Sequence, residues 1–333
     1  MLGIWTGERS GTKRDRLILR DSCGVSQYVP RFPSSSRKNA IGLVILPASN
    51  GATLHRDTGA LALNQPHARD VEPQFFGSRH APIFGLYHEP ASGQKRRSGV
   101  VICPPLGEEI FPAHRVLRVL ATQLARLGFP VLRFDYLGCG NSWGDDLDVT
   151  IPTCLDSLSR AVGKMREQSG CERVVTIGLR FGGTIAGMSA TASPGLFHEC
   201  VMWDPVLDGV AYVQDLQREL RETVEQHVPV TSTCDAAVSR VEAIGLRLSV
   251  EFETQLAAIS TDHFASLPAD RTLLVDTSGS TLSRTAALPA DHVLRKCVQL
   301  DFRDAPWKPV RASGQLVPAA ALRKLTSMAE QRW

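Results

Sequence analysis

The pattern of apolar and polar residues along the chain changes near residue 73. Residues 1–72 show no sustained alternation and no helical period, and we predict that they are mostly disordered, with a strand at most over Ile41–Leu46. Further on, Gln74–Phe76 and Ile83–His88 flank a polar turn, and this arrangement predicts a β-hairpin. The ordered part of the chain is therefore expected to begin at about residue 73.

Six short apolar runs follow the hairpin, and runs of this kind are typical of strands buried in a parallel sheet. They are Val100–Cys103, Pro130–Tyr136, Arg173–Leu179, Cys200–Trp203, Thr272–Val275 and Lys296–Phe302. Apolar residues at helical spacing between the first four runs predict helices at about 112–128, 155–169 and 182–192. This alternation predicts an α/β fold with a doubly wound, mostly parallel sheet that helices cover on both faces.

The span between Asp204 and Arg271 breaks the alternation of strands and helices. Apolar residues at helical spacing predict one helix near 213–224 and a second over about 238–259. An insertion between late strands of such a sheet is expected to cover the carboxyl ends of the strands as a cap. We therefore predict three parts, namely a mostly disordered extension at 1–72, a core at 73–205 and 270–333, and a helical cap at 206–269.

Composition and charge narrow the class of protein. Hydrophobic residues make up 43% of the chain and no apolar run approaches the ~18 residues of a membrane span, so a soluble protein without a membrane span is expected. Charged residues interrupt the first 19 positions, which argues against a signal peptide and predicts a cytoplasmic location. Residues 1–40 hold eight basic and three acidic side chains, which suit a solvated tail or a weak anion-binding arm. Because the rest of the chain is near neutral, no nucleic-acid partner is predicted.

The eight cysteines are scattered and form no CxxC pair, so the spacing of a zinc site is absent. Several of them, such as Cys103 and Cys297, fall within strand-like apolar runs. We expect reduced, mostly buried thiols, and we predict no metal and no cofactor.

One heptapeptide carries most of the chemical information. Ile177-Gly178-Leu179-Arg180-Phe181-Gly182-Gly183 follows an apolar strand and opens a helix rich in small residues. This is the context of the G-x-S-x-G nucleophile elbow, but an arginine stands where the serine is expected. The two outer glycines allow a sharp turn, which is expected to point residue 180 into a pocket above the strand ends.

Residues from about 96 to 210 resemble the α/β-hydrolase superfamily. Within it, they resemble the serine-aminopeptidase-like group and the hydrolase-like proteins associated with exosortase and exopolysaccharide loci. The segments that carry this resemblance are the elbow, Pro104–Glu109, Phe134–Ser142 and Trp203–Gly209. The resemblance implies an α/β-hydrolase fold with an oxyanion loop after the third strand of the family's sheet. It assigns ligand-facing positions to Leu106, Gly107, Glu108, Glu109 and, directly after the nucleophile position, Phe181.

The triad that the resemblance implies is incomplete. Arg180 remains a guanidinium at neutral pH and has no nucleophilic lone pair, so acyl-enzyme chemistry at this position is excluded. The loop at 301–308, where working relatives carry the histidine, contains none. His292, which precedes the last strand, is a weak candidate for the base, while Asp276 and then Asp204 are the candidates for the acid.

A cation at a helix N-terminus is unfavourable, so a negative group is expected near Arg180. Three hypotheses are open. In the first, an internal ion pair locks the former active site; in the second, Arg180 and backbone amides bind a small anion. In the third, catalysis continues with a displaced nucleophile. The carboxylates available for the ion pair are Glu108, Glu109, Asp135, Asp204 and Asp276, and the candidate nucleophiles are Cys103, Cys139 and Ser142.

Two functions follow from these hypotheses. The first is a catalytically degenerate α/β-hydrolase-fold protein that binds a small anionic molecule or a protein partner, by analogy within an exopolysaccharide or other biosynthetic pathway. The second is an active hydrolase of ester, thioester or amide substrates that uses unconventional residues.

Overall fold

The computed structural model describes residues 17–20, 26–29, 71–91, 95–227, 242–243, 246–303, 307 and 319–333. The chain divides into two compact units, residues 1–63 and residues 64–333. In the first unit, strand β1 (Leu17–Arg20) pairs antiparallel with strand β2 (Ser26–Val29). The strand that the sequence allows at Ile41–Leu46 lies outside the described residues.

The second unit is built on one large sheet. The described strands of this unit are β3 (Val71–Gly77), β4 (Pro82–His88), β5 (Ser98–Cys103), β6 (Val131–Phe134), β7 (Arg173–Leu179), β8 (Glu199–Trp203), β9 (Glu242–Ala243), β10 (Leu246–Arg247), β11 (Thr272–Asp276) and β12 (Val298–Asp301). Strands β9 and β10 form a separate antiparallel pair, and the other eight form a sheet of order β12-β11-β8-β7-β5-β6-β4-β3. The six strands from β5 onward in this sheet are parallel, and β3 and β4 are antiparallel.

Helices cover both faces of the sheet. They are α1 (Ile110–Arg126), α2 (Ile151–Ser169), α3 (Phe181–Ala192), α4 (Gly209–His227), α5 (Val250–Ala257), α6 (Ser280–Ala286), α7 (Val293–Lys296) and α8 (Ala319–Arg332). The predicted hairpin, the six predicted parallel strands and the α/β class are confirmed. In the described part of the chain, no helix combines the length and apolar composition that a membrane crossing needs.

Strand β5 illustrates why most positions of the parallel strands are apolar. Successive side chains of a strand point to opposite faces, and every residue of β5 is buried. Val100 and Ile102 pack into the cluster that holds the apolar faces of α1 and α8. Val101 and Cys103 pack into the other cluster, with α2 and α3. Because both faces are covered, most positions of the strand are apolar, and the one buried polar side chain of β5, Ser98, donates its hydroxyl to the carbonyl oxygen of Trp333.

The cap prediction needs one correction. Among the described residues of the helix expected over about 238–259, α5 is helical, whereas Glu242–Ala243 and Leu246–Arg247 are extended. The backbone N–H and the guanidinium of Arg247 both donate to the carboxylate of Asp146. These contacts hold β10 against the segment between β6 and α2 that contains Asp146. Ser249 then caps the helix by accepting a hydrogen bond from the backbone N–H of Phe252 at 3.1 Å. The cap as a separate part at 206–269 remains a prediction.

Candidate functional site

Four neighbouring parallel strands, β5, β7, β8 and β11, deliver polar side chains to one edge of the sheet. Since the carboxyl ends of parallel strands meet at the same edge, the residues just after them converge. Glu109 lies in the loop after β5, Arg180 directly follows β7, Asp204 directly follows β8, and Asp276 ends β11. The topology thus brings together four of the residues that the sequence singled out.

Arg180 occupies a sharp strand-to-helix turn. Its backbone has φ 56° and ψ −122°, a conformation that few residues other than glycine adopt, and it caps helix α3. A Cβ at Gly178 would lie 2.1 Å from the carbonyl oxygen of Gly182, and a Cβ at Gly182 would lie 2.4 Å from that of Cys103. Both glycines are therefore required for the close approach of helix and strands, as in a nucleophile elbow.

The Arg180 side chain is held by an ion pair and two further contacts. Its Nε donates to Oε1 of Glu109 at 2.8 Å, and its Nη1 donates to the carbonyl oxygen of Asp204 at 3.3 Å. The guanidinium carbon lies 5.5 Å from the centroid of the Tyr212 ring, which is within cation–π range. Tyr212 in turn donates its hydroxyl to Oε2 of Glu109 at 3.2 Å. The structure therefore contains the internal ion pair of the first hypothesis, and Glu109 is its carboxylate.

Burial makes this ion pair a persistent feature. The side chains of Arg180 and Glu109 are only 20% and 6% exposed. Burial acts to lower the pKa of Arg180, but the Glu109 carboxylate and the other groups around it outweigh that effect, and the net shift raises the pKa. Burial also raises the pKa of Tyr212 well above its ordinary value, with Glu109 as the second cause. The arginine consequently stays charged and the phenol stays neutral at any physiological pH.

Asp204 is buried and has an unusual backbone conformation, with φ 43°. Its carboxylate accepts a hydrogen bond from the backbone N–H of Thr277 at 2.7 Å and a second from the Thr277 hydroxyl. Burial is the main cause that raises its pKa to about 6, and the charge of Asp276 adds to the effect. Asp204 is thus anchored by Thr277 and ionises less readily than an ordinary carboxyl.

Asp276 serves the turn that follows it. One of its carboxylate oxygens accepts the backbone N–H groups of Ser278 and Gly279 at 3.0 and 2.7 Å. The other accepts the backbone N–H of Leu282 in helix α6 at 2.8 Å. Both oxygens are engaged by backbone donors, so the structure does not present Asp276 as the orienting acid of a triad.

His292, the weak candidate for the base, lies away from this site. It caps helix α7, where its Nδ1 accepts the backbone N–H of Leu294 at 3.2 Å. Helix α7 directly precedes β12, so His292 lies at the amino end of that strand, while Arg180 follows the carboxyl end of β7. Parallel strands place these two ends at opposite edges of the sheet.

The predicted oxyanion loop folds largely into the core. Leu106 is buried, and Gly107, Glu108 and Glu109 form a single 3₁₀ turn that leads into α1. Only Glu109 of the two glutamates meets Arg180. The Phe181 ring is fully buried, in edge contact with the rings of Tyr136 and Phe252 at 6.1 and 6.0 Å.

The candidates for a displaced nucleophile are not activated. Burial, with a smaller contribution from Asp135, raises the pKa of Cys139 to about 12, and burial also raises the pKa of Cys103. The Ser142 hydroxyl donates to the carbonyl oxygen of Asp135 at 2.6 Å and accepts the backbone N–H of Phe84 at 2.9 Å. The six cysteines that the structure describes are free and buried, as predicted.

A cavity of about 310 Å³ opens next to Arg180, at the carboxyl ends of the parallel strands. Among the described residues that line it there is no histidine. Carboxylates outnumber guanidinium groups in the lining, which includes Glu109, Asp204, Asp208, Asp215, Glu219, Arg180 and Arg284. Sequence analysis missed Tyr212 and Thr277 as members of this site. Tyr212 lies on the apolar face of a helix, where packing is the simpler interpretation, and the position of Thr277 just after a strand was its only signal.

The mostly parallel eight-stranded sheet with its flanking helices and the sharp turn at Arg180 match an α/β-hydrolase fold. No family model matches the chain, and no curated protein matches it in sequence. Among solved structures, the chain is similar to Est1E from Butyrivibrio proteoclasticus with bound ferulic acid, at 14% identity and a TM-score of 0.54 over 78% of this chain and 98% of that chain. It is also similar to an esterase from Pyrococcus furiosus, at 13% identity and a TM-score of 0.53 over 78% of this chain and 90% of that chain.

A third similar structure is that of DcsB in complex with its substrate analogue. The identity is 13% and the TM-score 0.53, over 79% of this chain and all of that chain. At such low identities the likeness shows a shared fold. What this chain does has to be argued from its own residues.

Proposed function

We propose that this chain is a non-catalytic protein of the α/β-hydrolase fold that uses the former active-site cavity to bind a ligand or a partner. The observation that carries the proposal is the ion pair between Arg180 and Glu109 at the nucleophile position. A guanidinium cannot form an acyl-enzyme, and no described residue that lines the cavity supplies an imidazole base. Nucleophile and base are the two groups that serine-hydrolase chemistry needs most directly.

The charge of the cavity favours a cationic ligand over the small anion that the sequence predicts at Arg180. Both guanidinium groups of the lining are already paired, Arg180 with Glu109 and Arg284 with Asp208, each at a closest distance of 2.7 to 2.8 Å. An added anion would compete with these carboxylates and with Asp204. An amine would instead meet a lining in which carboxylates outnumber guanidinium groups even after Glu109 and Asp208 are paired.

The alternative is an active ester, thioester or amide hydrolase with a displaced nucleophile. The raised pKa of Cys139 and the two hydrogen bonds of the Ser142 hydroxyl argue against it. A protein partner and a place in an exopolysaccharide pathway also remain proposals, since they depend on the resemblance of Trp203–Gly209 to the exosortase-associated branch.

Hydrolysis of p-nitrophenyl acetate tests the loss of catalysis. We expect the unmodified protein, the Arg180→Ser variant and the control variant Arg218→Ser to hydrolyse the ester no faster than buffer. Arg180→Ser should stay inactive because a serine without a histidine base is a poor nucleophile. Arg218 is 58% exposed, so its replacement controls for the loss of one positive charge. Turnover by the unmodified protein would overturn the proposal in favour of the active hydrolase.

The ligand preference can be measured with a pair of five-carbon compounds that differ in charge. Cadaverine, a diamine, is expected to raise the thermal unfolding temperature, and glutarate, a dicarboxylate, is not. The Asp215→Asn variant removes one lining carboxylate whose side chain is 46% exposed, and it should weaken the effect of cadaverine. Stabilisation by glutarate that Arg180→Ala abolishes would instead support the small-anion hypothesis.

A further inference from the structure

A second cavity, of about 270 Å³, lies between strands β5, β6 and β4 and helix α1. It shares no lining residue with the cavity at Arg180. Its walls are mostly apolar and include Phe84, Leu86, Ile102, Ile110, Leu117 and Phe134. The polar side chains of the described lining are His114, Arg133, Asp135, Asn141, Cys139 and Tyr136, whose hydroxyl donates to the carbonyl oxygen of Pro104. An apolar pocket with a small set of polar groups is the usual composition of a small-molecule site.

Arg133 supplies an incompletely paired positive charge to this cavity. Its Nε donates to Nε2 of His88 at 3.1 Å. Among the described residues, no hydrogen bond involves its terminal nitrogens and no ion pair joins the guanidinium to a carboxylate. Burial is the main cause that lowers the pKa of Arg133 to about 10; Arg118 adds to this effect and Asp135 opposes it. The guanidinium therefore has no directly paired carboxylate, although the charge of Asp135 acts on it from farther away.

The neighbouring groups do not neutralise this charge. Burial and Arg133 together lower the pKa of His88 to about 4, so the imidazole is neutral and can accept the hydrogen bond but cannot offset the cation. Burial and the two arginines also lower the pKa of His114. Arg118 is exposed and does not line the cavity, and Asp135, the one carboxylate of the described lining, acts on Arg133 only from beyond ion-pair distance. The terminal nitrogens of Arg133 are therefore left to pair with a ligand that carries a single negative charge.

The cavity also has an aromatic border. Phe75 lies on the edge strand β3 and is 62% exposed. Its ring makes an edge contact with the lining residue Phe84, with 5.4 Å between the centroids. Exposed aromatic surface next to an apolar cavity marks a place where an apolar ligand gains further contact.

We propose that this second cavity binds an apolar carboxylate, a carbon chain or ring that ends in one carboxylate group. The carboxylate pairs with the terminal nitrogens of Arg133, whose planar fork matches two carboxylate oxygens. The carbon body lies against the apolar walls formed by Ile102, Leu117 and Phe134. This inference is independent of whether the Arg180 site is catalytic.

Isothermal titration calorimetry on the full chain tests the proposal with octanoate, octanol and octylamine, which share a carbon chain and differ in the charge of the head group. We expect octanoate to bind at least about tenfold more tightly than octanol, and octylamine to bind more weakly than octanol. A fourth compound, 3-phenylpropanoate, distinguishes a ring from a chain. No binding of either carboxylate, or equal affinities for octanoate and octanol, would overturn the proposal.

Three variants locate the binding. Arg133→Met should lower the affinity for octanoate about tenfold and leave that for octanol unchanged. Ile110→Trp, which fills space from a half-buried lining position, should weaken both compounds. Arg284→Met removes an arginine of the other cavity and should change neither. If Arg133→Met does not fold, the comparison of ligands and Ile110→Trp still decide the matter; unchanged binding in a folded Arg133→Met protein contradicts the proposal.

Discussion

At the scale of single residues, the unusual feature is a cation at the amino end of helix α3. The helix dipole opposes a positive charge there, yet Arg180 is buried and has a left-handed backbone. Glu109 and Tyr212 provide the compensation, through the ion pair and the aromatic face. The three side chains form a closed cluster in which each touches the other two. Removing one member is expected to cost each of the other two one of its two contacts within the cluster.

A double-mutant cycle measures this coupling. We expect Arg180→Met to lower the free energy of unfolding by about 3 kcal/mol, because it leaves the Glu109 carboxylate buried without its cation. Glu109→Gln should have a similar effect, and the double variant should lose clearly less than the sum of the two. Urea denaturation gives the values. The control Arg218→Met breaks exposed ion pairs and should cost under about 1 kcal/mol. Additive losses in the cycle would contradict the proposed coupling.

The raised pKa of Asp204 predicts a specific dependence of stability on pH. Because the pKa is about 6 in the folded chain against an ordinary value of 3.8, the folded chain binds more protons between these pH values. The free energy of unfolding attributable to Asp204 therefore falls as pH rises from about 4 to 6. Urea denaturation gives the free energy of unfolding of both proteins. The value for the unmodified protein minus the value for Asp204→Asn should fall by about 2 kcal/mol between pH 4 and pH 7. A difference that stays constant or grows with pH would rule out a raised pKa.

Individual contacts are where sequence analysis was least complete. It predicted that Arg180 stands at a strand-to-helix turn and that a carboxylate should compensate it, but five carboxylates satisfied the pattern equally well. Only the path of the loop after β5 decides that Glu109 and not Glu108 points inward. His292 was already a weak candidate from the sequence because it precedes the last strand, and in the structure it lies at the amino end of β12, away from Arg180.

At the scale of elements, the packing of helix α3 on the sheet is the contact that sets the site. Gly182 approaches the carbonyl oxygen of Cys103 so closely that no side chain fits between them. The elbow is therefore maintained by backbone contact, and its geometry does not require a serine at its tip. This explains how an arginine can occupy the position while the turn is preserved.

Two glycine-to-alanine substitutions test the packing of this helix. Gly182→Ala should lower the free energy of unfolding by about 3 kcal/mol or more, since its Cβ would lie 2.4 Å from a backbone oxygen. Gly163→Ala in the middle of α2 is the matched control, because nothing lies within 4 Å of its Cβ. That change should stabilise the protein by about 0.5–1 kcal/mol through helix propensity. Equal effects of the two substitutions would refute the close packing.

The strands could be predicted from the sequence, whereas the extended part of the cap region could not. A strand buried on both faces, such as β5, is apolar at most of its positions, and this leaves a clear pattern in the sequence. The extended stretch at Leu246–Arg247 is held instead by the ion pairs of Arg247 with Asp145 and Asp146, about a hundred residues away. Contacts between distant polar residues leave no local period, so the region was predicted as helix.

At the scale of the whole molecule, the chain divides into two compact units, residues 1–63 and residues 64–333. The large sheet and both candidate cavities lie in the second unit. We therefore expect a chain that begins at Asn64 to unfold cooperatively at the same temperature as the full chain, with the same affinity for octanoate. Circular dichroism and calorimetry make the comparison. A lower unfolding temperature would show that residues 1–63 stabilise the core.

The central claim is that the position of the nucleophile holds a locked ion pair and carries no reactive group. The most direct test exposes the full chain to an excess of a fluorophosphonate, which reacts with activated serine nucleophiles, and measures the intact mass. Both the unmodified protein and Arg180→Ser are expected to keep an unchanged mass. A stoichiometric adduct on the unmodified protein, mapped by peptide analysis to any serine, would contradict the central claim.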